Sequence, residues 1–135
     1  MDCVFCKIVN GEIPSERVVE TEKVLAFLDL YPVNKGHVLV IPRQHYFRLD
    51  EIDATTLHQM VEVAQKVAAA QVYGLSAEGY NLVMNNGEVA GQEILHAHMH
   101  VIPRFSNDQM RFGWRHLEYA KGELQDYGKR LREFL

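Results

Sequence analysis

Residues 93–102 read Glu-Ile-Leu-His-Ala-His-Met-His-Val-Ile, and their alternation decides the fold class. Residues i and i+2 of a strand point to one face. His96, His98 and His100 therefore share one side, and Ala97, Met99 and Val101 the other. Neighbouring rings in such a row stand roughly 6.5–7 Å apart, close enough together to line a ligand of nucleotide-phosphate size. Two of them can instead tilt toward one metal ion. A buried imidazole costs free energy unless it finds partners. Histidines gathered on one face of a strand otherwise built of Ile, Leu, Met and Val point to chemistry. A tag or a disordered metal-sequestering tract would also carry histidines, so the surrounding chain has to decide.

Val24–Leu28 and Val38–Ile41 are apolar runs of strand length, separated by a segment, residues 29–36, that carries Pro, Asn and Gly. They read as adjacent antiparallel strands joined by a loop. Arg17–Glu20 reads as a further short strand after the Gly11-Glu-Ile-Pro14 turn, and Tyr80–Met84 as another, followed by a loop over Asn85–Gly91. The clearest helix runs from Asp53 to Gly74. Leu57, Met60, Val61, Ala64, Val67, Ala68 and Gln71/Val72 recur at its 3.6-residue period, Asp53 caps its start and Gly74 stops it. His58 falls beside that stripe and faces solvent. From His116 onward Leu117, Ala120, Leu124, Tyr127, Leu131 and Phe134 recur at helical spacing, weakened by Gly122 and Gly128. This tail reads as an imperfect helix packing on the domain or on a second subunit. The sum is an α+β fold: an antiparallel sheet of about five strands, one long helix and a C-terminal helical tail.

The chain of 135 residues is expected to form one domain, with a core over 1–105 and a tail over 106–135. Its apolar fraction of 47% and charged fraction of 24% are ordinary for a globular protein. A net charge of −4 without a run of like charges argues against a nucleic-acid partner, though not against a small anion in one local pocket. No apolar stretch approaches the roughly 18 residues of a membrane span. The opening residues lack the pattern of a signal peptide, so a reducing, cytoplasmic setting is expected. There Cys3-x-x-Cys6 is a poor structural disulfide. It is either a redox pair or half a zinc site. The parallel βαβ pattern of a thioredoxin-type redox motif is missing. Zinc needs two more nitrogen or sulfur ligands, for which His45 and His96 are candidates.

Residues 96–101 resemble the signature of the histidine triad family, in which three histidines alternate with apolar residues. The resemblance extends over nearly the whole chain. Cys3-Val-Phe-Cys6-Lys-Ile, Gly11-Glu-Ile-Pro14, Ala26-Phe-Leu-Asp29, Gly36-His-Val-Leu-Val-Ile-Pro42, Asn85-x-Gly87 and Gly91-Gln92 occur in the family's order with fitting spacing. The resemblance implies a nucleotide-binding hydrolase or transferase that cleaves at the α-phosphorus and releases a nucleoside monophosphate. By position, His98 is the nucleophile that becomes transiently nucleotidylated, and His100 contacts the phosphate or helps the leaving group. His37 matches a further family histidine. Asp29 matches the ribose-binding position and Leu30 the one that packs on the base. The Asn85 amide and the backbone near Gly91 and Gln92 match the phosphate contacts. A subset of the family carries a zinc quartet that Cys3, Cys6, His45 and His96 match, and four protein ligands would make that zinc structural. The resemblance further implies a purine (AMP-type) substrate, namely a nucleoside phosphoramidate, an aminoacyl adenylate or a dinucleoside polyphosphate, and a symmetric homodimer. In such proteins the tail shapes leaving-group choice, which directs attention to Phe112, Trp114 and Arg115.

One position departs from the pattern. Many relatives carry Ser or Thr where this chain has Glu93, and an ionised carboxylate cannot donate to a phosphate. Either the Glu93 backbone N–H makes the contact with the carboxylate turned away, or the carboxylate handles a proton on the leaving group. Two other function classes stay open at the level of sequence. One is a metallohydrolase with His98 and His100 as ligands to a catalytic metal, and the other a nucleotide-binding scaffold without turnover.

Overall fold

The computed structural model describes residues 2–135. Its strands are β1 (Arg17–Glu20), β2 (Val24–Leu28), β3 (Val38–Pro42), β4 (Gly79–Val83) and β5 (Met99–Arg104). They pair antiparallel throughout, in the order β1-β2-β3-β5-β4. Three helices accompany them: α1 (Val4–Val9), α2 (Ala54–Leu75) and α3 (Glu123–Arg132). This is the α+β architecture that the alternating and 3.6-residue patterns call for.

The sheet is covered on both faces, which explains why β2 and β3 are apolar at nearly every position instead of at alternate ones. On one face Val24, Ala26, Val38, Val40, Met99 and Val101 pack against Met60, Val63, Ala64, Val67 and Ala68 of α2. Each of the larger buried side chains contributes roughly 1.5–3 kcal/mol. On the other face Leu25, Phe27, Leu39 and Ile41 meet Cys3 and, from α1, Phe5 and Ile8. Gln71 clips α2 to the sheet, its Nε2 donating to the carbonyls of Gly36 (3.0 Å) and Val101 (2.9 Å). Gly36 itself lies so close to α2 that a Cβ there would collide with the Leu75 side chain, and its φ of +97° suits glycine.

Four details differ from the sequence reading. The strand that carries the histidines starts at Met99, not at Glu93. Its partner β3 ends at Pro42, which has no N–H to extend the ladder, and the Ala97 N–H donates instead to Tyr46 O at 2.7 Å. The alternation survives this: Ala97, Met99 and Val101 still face α2. In α2 the buried stripe includes Val63, whereas Val61 is exposed, and the helix passes Gly74 to end at Ser76 in a left-handed conformation (φ 60°). Residues 4–9, unassigned from sequence, form α1, with the Cys3 side chain accepting from Cys6 N at its start. In the tail, helix begins only at Glu123, because Gly122 sits at φ 83°, outside the helical region. No residue of α3 is buried, whereas the start of the tail meets the domain, with Phe112 and Trp114 beside Asn81, Leu82 and Val83 of β4. The tail's first turn is pinned by Arg104, whose guanidinium donates to Asp108, to Asn81 and to the Met110 carbonyl.

Candidate active site and metal centre

The β2–β3 hairpin fixes the first two site residues. Beyond the Leu28–Val38 pair, the Asp29 N–H donates to His37 O (2.9 Å), which sets the two side chains across from each other. Asp29 Oδ1 accepts from Tyr31 N at 2.9 Å, and Oδ2 lies 3.7 Å from His37 Nε2. The β3–β5 register places His100 opposite Leu39, on the face that α1 covers. From there His100 Nδ1 reaches His37 Nε2 at 2.9 Å. His98 projects from the extended segment before β5, and its Nδ1 lies 2.7 Å from the His96 carbonyl oxygen.

These hydrogen bonds fix the tautomers, since a neutral imidazole has one N–H and one bare nitrogen. The Val33 N–H donates to His37 Nδ1 (3.1 Å), so the His37 proton is on Nε2 and is given to His100 Nδ1. The His100 proton is therefore on Nε2, a donor. His98 must carry its proton on Nδ1 to bond a carbonyl, which leaves its Nε2 bare. All three rings are neutral at pH 7. Burial lowers the pKa of His98 and of His37, and burial together with neighbouring His98 and His37 takes that of His100 down to about 4.

The second cluster lies behind His98. Cys3, Cys6, His45 and His96 offer one ligand atom each, all within 4.8 Å of one another. His96 Nε2 donates to Pro42 O at 2.9 Å, which leaves Nδ1 bare toward the sulfurs. Its distances to the Sγ of Cys3 and Cys6 are 3.5 and 3.7 Å, and Cys6 Sγ lies 3.5 Å from His45 Nδ1. A tetrahedron with zinc–sulfur bonds of about 2.3 Å and zinc–nitrogen bonds of about 2.05 Å has sulfur–nitrogen edges of about 3.6 Å. The donor set fits that ion in type, number and spacing. Phe5 links the two clusters, with its ring edge-on to His96 (5.7 Å) and to His98 (5.2 Å).

A cavity of about 470 Å³ opens over His98 and His100. Asp29, Leu30, Asn85, Gly91 and Glu93 line it, as the sequence reading grouped them. His37 does not; it stands buried behind His100. Gln92 does not either. Its side chain is buried and ties the 85–91 loop down, accepting from Gly87 N and donating to the carbonyls of Phe47 and Ile94. The N–H groups of Gly91 and Gln92 donate to Glu88 O and Gly87 O within that loop. Sequence reasoning missed the apolar end of the cavity, formed by Phe5 and Ile8 of α1 with Ile13, Phe27 and Leu39. The signal was present in Phe5 and Ile8, one helical turn apart and followed by Gly11, but six residues are too few for periodicity to register.

Sheet order, alternating histidines and flanking cleft define a histidine triad protein. The family model described as the HIT domain matches residues 10–107, and the chain belongs to the HIT family. It is similar over nearly its whole length to the adenosine 5′-monophosphoramidase of Schizosaccharomyces pombe: 36% identical over 132 residues, 97% of this chain and 96% of that protein. The fold matches the crystal structure of a HIT family member from Bacillus subtilis with a TM-score of 0.93 at 39% identity, covering 100% of this chain and 98% of that one. A zinc-bound histidine triad protein from Mycobacterium smegmatis is similar with a TM-score of 0.78 at 37% identity, over 98% of this chain and 92% of that one.

Proposed function

We infer that the chain is a nucleotidyl hydrolase or transferase that cleaves at the α-phosphorus of an AMP-type nucleotide through a His98–nucleotide intermediate. The observation that carries this is tautomeric: of the rings His37, His98 and His100, only His98 holds a bare nitrogen free of any hydrogen bond. Neutral imidazole is a competent nucleophile near pH 7. Its Nε2 attacks phosphorus, the bond to the leaving nitrogen or oxygen breaks, and the leaving group departs with the electron pair and takes up a proton from solvent. Water then adds to phosphorus, the P–Nε2 bond breaks, and the nucleoside monophosphate leaves as the ring recovers its lone pair and the water's proton passes to solvent. The Nδ1–H bond to His96 O supports the ring while it is substituted and cationic.

The apolar end of the cavity suits the base, with Leu30 packing on it and Asp29 accepting from the ribose hydroxyls. The Asn85 amide and the His100 Nε2–H face the phosphoryl oxygens, with the Gly91–Gln92 backbone shaping the loop beside them. The Glu93 N–H, which donates to no acceptor among the described residues, is the backbone contact expected at this end. The phosphoramidase name of the yeast relative supports a nucleoside phosphoramidate as the substrate class.

The metallohydrolase reading is disfavoured by the same tautomers. Asp29, His37 and His100 cluster closely enough to hold an ion, but the His37 and His100 nitrogens that would face it are joined in one hydrogen bond. His98 Nε2 alone makes no metal site. The Cys3–Cys6–His45–His96 set is assigned a structural zinc, which would tie the N-terminal helix to the histidine segment; it has no open position for substrate. A cytoplasmic setting, in which free Cys3 and Cys6 are kept reduced, agrees with this. A homodimer is proposed as well. The unpaired edge of β4, with Tyr80 and Leu82 half exposed, and the uncovered tail side chains Trp114 and Leu117 are surfaces for a second copy. Light scattering at micromolar concentration should give the dimer mass, and a monomer would contradict it.

The functional reading is tested with His98→Ala and adenosine 5′-phosphoramidate. AMP release should fall by about 10³-fold or more. Turnover near wild type ends the proposal.

A further inference from the structure

The phosphate end of the cleft carries charge of the wrong sign for its ligand. Among the described residues no Lys or Arg lines the cavity, and its acids are Asp29 and Glu93. Asp29 is engaged, accepting from Tyr31 N with His37 beside it. Glu93 is not. It is exposed, lies next to the 85–91 loop, and forms no ion pair among the described residues. An uncompensated carboxylate beside a phosphoryl group repels every further negative charge brought there and attracts a positive one.

We propose that Glu93 is a specificity-determining residue that selects leaving groups bearing a positive charge, such as an ammonium on the amine released from a nucleoside phosphoramidate, and disfavours anionic ones. This rests on the functional reading above, which supplies the α-phosphorus chemistry and leaves the leaving group open. The apolar end of the cavity has no charge with which to sort substrates. The far side of the phosphate, where Glu93 stands, has this one. A polyphosphate leaving group would set several negative charges against it; an ammonium would offset it. Because the carboxylate is exposed, the preference is one of moderate size and is screened by salt.

The test uses three adenosine 5′-phosphoramidates whose amine carries a propylammonium, a butyl or a propanoate group. Wild type, Glu93→Gln and Glu93→Lys are compared as ratios of kcat/KM. One unit charge at contact distance in water is worth about fivefold, so attraction and repulsion together predict a cationic-to-anionic ratio of about 30 in wild type. That ratio should shrink to within about threefold in Glu93→Gln, invert in Glu93→Lys, and fall with rising salt in wild type only as far as Glu93→Gln. Ratios between variants cancel the intrinsic reactivity of each leaving group. A Glu93 that acted only as a proton donor or a structural prop would lower all three substrates together, and an unmoved ratio overturns the proposal. Wild type inert toward all three would instead remove the functional reading beneath it.

Discussion

His98 is aimed by its own chain: its Nδ1 lies 2.7 Å from the carbonyl oxygen of His96, two residues earlier. His96 contributes that carbonyl to the proposed nucleophile and its Nδ1 to the Cys3–Cys6–His45 cluster. Phe5 rests its ring against both imidazoles. The proposed metal ligands and the proposed reacting ring are thus one mechanical unit, with α1 as its clamp.

Metal content should follow from that unit. The purified chain is expected to hold one zinc, read by elemental mass spectrometry. Cys6→Ser should lose it and lower the thermal midpoint by about 10 °C, since a closed site contributes directly to folding stability. A Cys6→Ser variant without zinc and with an unchanged midpoint would show that the cluster carries no stability.

His37 is proposed to act through His100, to which it is hydrogen-bonded. His37→Ala removes the donor to His100 Nδ1 and orphans the Val33 N–H. The His100 ring, proposed to contact phosphate, then loses its fixed tautomer. We expect kcat to fall by about 10- to 100-fold with KM little changed, the pattern of lost positioning. Equal losses in both constants, or none, would contradict the role.

The acid limb of activity should sit low. His100 has its pKa pushed down from 6.5 to about 4, chiefly by burial, so the neutral ring persists as the pH drops below its ordinary value. The same shift sets a sign for stability. Between pH 6.5 and about 4 the unfolded chain binds a proton that the native ring refuses, so this group's contribution to stability is lost as pH falls through that window and regained as it rises. Measured kcat/KM should stay level down to pH 6, and His100→Gln should soften the acid dependence of the melting temperature. An activity midpoint at 6.5 would place an exposed, unperturbed histidine in control.

Gln71 gives a test of what ties α2 to the sheet. Gln71→Leu leaves the carbonyls of Gly36 and Val101 without their donor, at a cost of about 2 kcal/mol in chemical denaturation. Stability unchanged by this substitution would mean those carbonyls had found water.

Much of this site could be read from residue order because it is local. The alternation over His96–Val101 survives even where the strand does not: Ala97 still packs with Met99 and Val101 on the α2 side. Asp29 and His37 flank one hairpin, so strand pairing alone brings them together. What could not be read depends on contacts remote in sequence. Whether Gln92 faces ligand or braces a loop is decided by Phe47 O, 45 residues away. The six-residue α1 is too short for its period to show, yet it supplies a wall of the cavity. In the tail, apolar spacing suggested a helix from His116, and the φ of 83° at Gly122 stops α3 from running back past Glu123.

The central claim is a bond between phosphorus and one ring nitrogen. Rapid acid quench of the wild-type chain with an adenosine phosphoramidate, followed by intact-protein and peptide mass spectrometry, reads it directly. The account predicts one adenylyl group per chain, mapped to His98 and gone in His98→Ala. Steady AMP release with no adduct on rapid quench, or an adduct on another residue, would contradict it.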